Sequence, residues 1–286
     1  MAFYKQYKPR TFDPNSREAF KVSRSKIDFF LDCPRCFYIE ALHGVKRPSM
    51  PSFTLNIAVD ALLKKEFDVH RDAGTRHPLL EQYGVDLVPF RHTQMDTWRE
   101  NFVGVQTLHQ KTNLLVLGAV DDIWVDAAGV LYVVDYKATS KDAPVTSLDD
   151  TKWHNQYRRQ MEVYQWLLRQ NGFDVSNTGY FVYVNGRKDN KAFDAKLEFD
   201  VNLIPYTGSD MWVEQALLNL KQCLLGSVPG YGEECEFCIY RKSMAQIEGA
   251  KQMTVQAPAI SPVKTVVKPK VSKVPKASMQ QNQALF

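Results

Sequence analysis

Apolar residues recur at helical spacing over Ser23–Leu42, with Ser23 or Ser25 placed to cap the start and Gly44 to stop the end. A second helical pattern covers Asn56–Phe67 through Ile57, Ala61, Leu62 and Phe67. Residues 70–91 carry no period and read as irregular, and a short helix is expected at His92–Glu100. The spacing then changes. Val103–His109 alternates as a strand does, and Gln110–Asn113 joins it to a second strand, Leu114–Val125. Val130–Tyr136 follows as a third strand. Trp153–Leu168 is predicted helical, Gly179–Val184 and Phe193–Val201 extended, and Pro205–Leu225 a long helix. A helix, three antiparallel strands, another helix and more strands predict an α/β core with a mixed sheet. From about Gly249 the period disappears. Pro258, Pro262, Pro269 and Pro275 alternate with lysine and valine there, the pattern of an extended, disordered tail.

Composition adds bounds. The 286 residues are 44% hydrophobic and 24% charged, a globular balance for one large domain or two small ones. No apolar run approaches the roughly 20 residues that span a bilayer. The start, Met1-Ala-Phe-Tyr-Lys, lacks a secretory apolar stretch, so a cytoplasmic protein without membrane partners is expected. The net charge of +4 comes from the tail, where residues 251–286 hold six lysines and no acid. The remainder has 30 basic and 32 acidic residues, which excludes a uniformly basic nucleic-acid-binding domain.

The strands at 114–136 carry the candidate chemistry. Ala127, Ala128 and Gly129 form a three-residue hairpin loop with glycine in the left-handed last position. Pairing Asp126 with Val130 then sets Asp121 opposite Asp135, with Cβ atoms about 5 Å apart on one face. Lys137, two residues on, shares that face. Two buried acids side by side are costly unless a cation neutralises them. Asp122 points to the opposite face and is expected to be solvated. Two C-x-x-C pairs, Cys33–Cys36 and Cys235–Cys238, suggest a four-thiolate site suited equally to Zn²⁺ or an iron–sulfur cluster. Cys223 is expected to be buried in its helix, and His154 to be an exposed structural histidine.

Gly118-x-Val120-Asp121, then Asp135-Tyr136-Lys137, then Gln160-Met-Glu-Val-Tyr164, resembles in order the motifs of the PD-(D/E)XK nucleases, above all their RecB-like family. Ser23–Arg35 resembles that family's first helix. Cys235-Glu-Phe-Cys238 resembles the end of its iron–sulfur members, which include CRISPR-adaptation exonucleases. The resemblance implies a restriction-endonuclease-like α/β fold, a central mixed sheet flanked by helices. It implies a nuclease domain at 23–248, between an N-terminal extension (1–22) and a disordered Lys/Pro-rich tail (249–286). It implies a Mg²⁺- or Mn²⁺-dependent deoxyribonuclease, exonucleolytic or preferring single strands, serving DNA repair, recombination or CRISPR-type processing.

Residue by residue, the resemblance makes Asp121, Asp135 and the Tyr136 carbonyl metal ligands. Lys137 orients or deprotonates the attacking water, and Gln160 and Tyr164 position the DNA strand or the lysine. The family usually adds a histidine ligand on the preceding helix. Asp60 stands there instead, as a replacement ligand or an ordinary helix residue, with Glu66 as a competitor. The family also favours a 4Fe-4S cluster at the cysteines, Zn²⁺ being the alternative, but places one cysteine early and three late where this chain has two and two. Any helicase activity must come from a partner. The end, Gln281–Phe286, loosely resembles sliding-clamp docking peptides through Leu285 and Phe286. The competing class is a non-catalytic DNA-binding or scaffold module that keeps the fold and the cluster.

Overall fold

The computed structural model describes residues 11–48 and 53–251. Residues up to Ser243 form one compact unit; of a second, starting at Met244, the helix end up to Lys251 is described. In chain order the elements are β1 (Phe20–Ser23), α1 (Arg24–Asp32), α2 (Pro34–His43), α3 (Thr54–Ala73), α4 (Pro78–Gln82), β2 (Val88–Pro89), α5 (Met95–Arg99), β3 (Val105–His109), β4 (Leu114–Gly118), β5 (Asp122–Val125), β6 (Leu131–Thr139), α6 (Lys152–Gln170), β7 (Thr178–Gly186), β8 (Phe199–Thr207), α7 (Met211–Leu225) and α8 (Glu236–Lys251). Among the described residues no helix is long and apolar enough to cross a membrane. The Lys/Pro tail and the docking residues Leu285 and Phe286 lie outside the described residues, apart from the helix end.

Five strands form the central sheet in the order β2-β5-β6-β7-β8, and a smaller sheet runs β1-β4-β3. The central sheet is mixed, because β6 and β7 run parallel while its other neighbours are antiparallel. Alternate residues of β6 enter two cores. Leu131 and Val133 join Met161, Tyr164 and Leu167 of α6. Val134 and Tyr136 join Phe67 of α3. A sheet covered on both faces takes a near-continuous apolar run, and any charge inside it must be paired or serve a site.

The expected hairpin register is present. Asp122 pairs with Val134 and Val125 with Leu131, and Gly129 adopts φ 87° in the loop. Other expectations are corrected. Ser23–Leu42 is two helices, because Pro34 lacks the N–H that would continue the first and instead starts the second. The α3 helix extends well past Phe67 to Ala73, and the region read as irregular holds α4 and β2. Leu114–Val125 is not one strand. The Val120 amide donates to the Trp98 carbonyl at 3.1 Å, so the chain leaves one sheet at Gly118 and enters the other at Asp122. The strand expected at Phe193–Val201 runs instead from Phe199 to Thr207, and takes in Pro205, read from sequence as a helix start. Proline is tolerated there because β8 is the sheet's edge.

Candidate active site and metal centre

Asp135 and Lys137 lie on the β6 face that α6 covers. Asp135 is fully buried. The Lys137 ammonium lies against Oδ2 as a close ion pair. Burial raises the carboxyl to about 7, Asp121 adds to the rise, and Lys137 opposes it. Burial lowers the Lys137 pKa, but Asp135 and Asp121 outweigh it, and the net shift is upward. The two acids thus favour the ammonium form of Lys137, a donor and a positive charge.

Asp121 sits in the three-residue crossing between the sheets. Its Oδ2 accepts from the Tyr136 amide at 2.9 Å, and its carbonyl accepts from Arg99 Nε at 3.0 Å. Gln160 Oε1 accepts from Lys137 Nζ at 3.3 Å, and Gln160 Nε2 reaches the Tyr164 hydroxyl at 3.1 Å. The i, i+4 spacing on α6 stacks these two side chains on one face. Tyr164 in turn packs on Gly118, where an added Cβ would stand 2.6 Å from the ring. Gly118 of the first motif and Tyr164 of the last are thus in contact.

Asp60 is also at this site. It lines, with Asp121, Lys137 and Gln160, an open cleft of about 520 Å³. Lys64 Nζ lies 2.8 Å from Asp60 Oδ2 and 3.6 Å from Asp121 Oδ1. Burial and the Asp121 charge raise the Asp60 pKa. Glu66 is elsewhere, on His77 at 2.9 Å.

Three further side chains, Arg24, Lys64 and Trp153, line the cleft. Burial opposes the charge of Arg24, but Tyr164 and Asp135 raise its pKa. It opens α1 directly after its Ser23 cap, within the Ser23–Arg35 segment that resembles the family's first helix. Lys64 was findable as the residue one turn beyond Asp60. Trp153 stands 64% exposed on the cleft rim at the first turn of α6. Two sequence expectations fail. Asp122 is not solvated but fully buried, since α3 covers the sheet's other face. It pairs with Arg71 and Arg99 and accepts from the Tyr136 hydroxyl at 2.7 Å. His154 is buried, its Nδ1 accepting from the Asp149 amide at 2.9 Å as the chain enters α6.

The two C-x-x-C pairs meet. Cys33 Sγ lies 3.6 Å from Cys238, and Cys36 Sγ 3.7 Å from both Cys235 and Cys238. All four sulfurs fall within 4.8 Å of one another and all four residues are buried. Arg47 stacks between Phe29 and Phe237 and donates to Cys235 Sγ at 3.0 Å. The group can hold a metal ion and ties α1 and α2 to the start of α8. Cys223 stands apart on α7 and is part-exposed, not buried as expected, because it lies off the face that carries Leu217, Leu220 and Leu224 inward.

The donors fit hard and soft metals at separate places. The carboxylates of Asp135 and Asp121 form an oxygen set suited to Mg²⁺ or Mn²⁺. A family model described as PD-(D/E)XK nuclease superfamily matches residues 58–243. No curated protein matches the chain.

Proposed function

The chain belongs to the PD-(D/E)XK nuclease superfamily, and on that premise we propose that it hydrolyses phosphodiester bonds of DNA at the site formed by Asp121, Asp135 and Lys137. One observation carries this reading. Burying two acids side by side is expensive, and Asp135, fully buried and ion-paired to Lys137, has Asp121 as such a neighbour. Asp121, Asp135 and the Tyr136 carbonyl are the ligands we assign to a divalent ion. Such an ion, when bound, lowers the pKa of a water and shields phosphate charge.

The protein's own groups do the rest. Lys137 offers an ammonium that can hold the attacking water or a phosphate oxygen and stabilise developing negative charge. Gln160 fixes the Lys137 head, and Tyr164 fixes Gln160. Arg24 adds positive charge deep in the cleft. Trp153 on the rim is placed to stack a base of an incoming strand. Residues 23–248 are the nuclease domain in this reading, as a member of the RecB-like group. An exonucleolytic or single-strand-preferring mode, use in DNA processing with a helicase or clamp, and a cytoplasmic setting are consistent extensions.

We read the four cysteines as a structural site for one tetrahedral ion, with Zn²⁺ preferred. Metal–sulfur bonds of about 2.3 Å in a tetrahedron set sulfurs roughly 3.8 Å apart, close to the 3.6 and 3.7 Å of three spacings here, with all within 4.8 Å. A 4Fe-4S cube binds each cysteine through a different iron, spreading sulfurs to roughly 6 Å. The four thiols fit that wider group poorly.

The decisive assay incubates purified protein with Mg²⁺ or Mn²⁺ and labelled DNA, beside Asp135→Ala. Loss of cleavage in the variant supports the assignment. Equal degradation by both, or by neither across several metals and substrates, refutes it.

A further inference from the structure

The Asp60 side of the cleft carries a cation of its own. Asp60 and Lys64 are one turn apart on α3, with the acid nearer the N-terminus, the favourable order for such a pair. Lys64 Nζ is 2.8 Å from Asp60 and 3.6 Å from Asp121, so one ammonium lies between two carboxylates. All three side chains are partly buried. The compact lysine head, with three donors, can serve both acids at once.

Charge matching around the cleft points the same way. Asp60, Asp121 and Asp135 face three cations, Lys64, Lys137 and Arg24. Asp68 and Asp122 behind them are matched by Arg71 and Arg99. The site is therefore close to neutral before an ion enters. One divalent ion would be balanced by a phosphate and a hydroxide. A second would leave uncompensated positive charge against Lys64, Lys137 and Arg24.

We propose that Lys64 is the resident counter-ion of Asp60 and Asp121, so that the cleft takes one divalent ion, held through Asp121 and Asp135, and Asp60 is not a ligand. The inference rests on the metal-site reading above and deepens it. Lys64 occupies by covalent attachment the place that a second ion would otherwise take. It is a positioning residue that fixes metal stoichiometry.

Calorimetric titration of the full chain with Mn²⁺, with bound metal counted after desalting, tests this. Because the cysteine site adds thiolate-bound metal, the count is of Mn²⁺ lost in Asp121→Ala, Asp121 being the carboxylate common to both places. Wild type should bind one such Mn²⁺, and Asp60→Asn should keep its affinity within about threefold. Lys64→Met should bind two, and Lys64→Arg should return the count to one. Two Mn²⁺ in wild type, a tenfold or greater loss of affinity in Asp60→Asn, or a single ion in Lys64→Met each overturn the proposal. Wild type binding no Mn²⁺, or binding it unaffected by Asp121→Ala, overturns the metal-site reading and this proposal with it. That outcome is distinct from the preceding ones, in which binding still depends on Asp121.

Discussion

The backbone amide of Tyr136 donates to Asp121 Oδ2 across 2.9 Å. Asp121 belongs to no strand, and this bond fastens it to the strand that carries Asp135 and Lys137. The bond needs a side-chain oxygen but not a charge. Asp121→Asn should therefore keep the fold, with a stability change inside the ±0.5 kcal/mol typical of mild substitutions. Cleavage should fall at least about a hundredfold, and added Mn²⁺ should no longer raise the melting temperature as ligand linkage requires. A variant that unfolds instead would make Asp121 a structural residue. Thermal melts with and without Mn²⁺ decide between these outcomes.

Gly118 leaves room for Tyr164 and nothing more. An added Cβ meets the ring at 2.6 Å and Leu167 Cδ1 at 3.1 Å. The ring must move, and Gln160 and then Lys137 lose their fixed positions. Gly118→Ala is expected to cost about 1–3 kcal/mol, the usual range for overpacking. Its kcat should fall by roughly tenfold or more, with KM nearly unchanged because the cleft rim is untouched. Denaturant melts and steady-state kinetics on one preparation measure both. A variant that loses stability but keeps kcat would break the proposed chain from Tyr164 to Lys137.

His77 makes stability depend on pH. Its Nδ1 accepts from the Leu79 amide at 3.0 Å to cap α4, and its Nε2 meets Glu66 at 2.9 Å. Capping requires an unprotonated Nδ1, so the ring must be neutral. Burial lowers its pKa below the ordinary 6.5, more than Glu66 raises it. The unfolded chain then takes up a proton first. Stability is fully present above pH 6.5 and is lost as pH falls toward the folded-state value. His77→Asn keeps an acceptor for the cap but does not titrate. Wild type should lose more melting temperature than His77→Asn between pH 7.5 and 5.5, and equal losses would remove His77 as the cause.

The hairpin is legible in the sequence because a three-residue loop ending in glycine allows one register, and that register places every residue from Asp122 to Val125. The Gln160–Tyr164 pair is legible because helical spacing alone puts the two on one face. The break at 119–121 is not, since it depends on Trp98 offering its carbonyl to Val120 from a distant helix. Asp122 was misplaced for a related reason. Alternation tells which face a residue takes, but only packing tells that α3 covers that face and supplies Arg71. Pro205 misled because its edge position is a property of the sheet, not of the segment. Lys64 was overlooked because an i, i+4 acid–lysine pair is the commonest kind of solvated helix surface, and Asp121 as a second partner comes from another element.

The four cysteines join helices nearly the whole domain apart in sequence, so metal removal should act on the entire unit rather than on one loop. Cys33, Cys36, Cys235 and Cys238 form a buried cluster of their own, flanked by Phe29 and Phe237. Without an ion, four thiols at this spacing offer one another weak sulfur contacts and little else. A structural ion contributes its binding energy directly to folding. Cys235→Ser should therefore lower stability by several kcal/mol and reduce bound metal. It also replaces the sulfur that accepts from Arg47 with a smaller hydroxyl. Elemental analysis of protein purified without added metal should give one zinc per chain, in a colourless solution. A brown preparation with about four irons would replace the single-ion reading with a cluster. A fully folded, metal-free protein whose melting temperature matches that of Cys235→Ser would show that the four thiols pack without a metal.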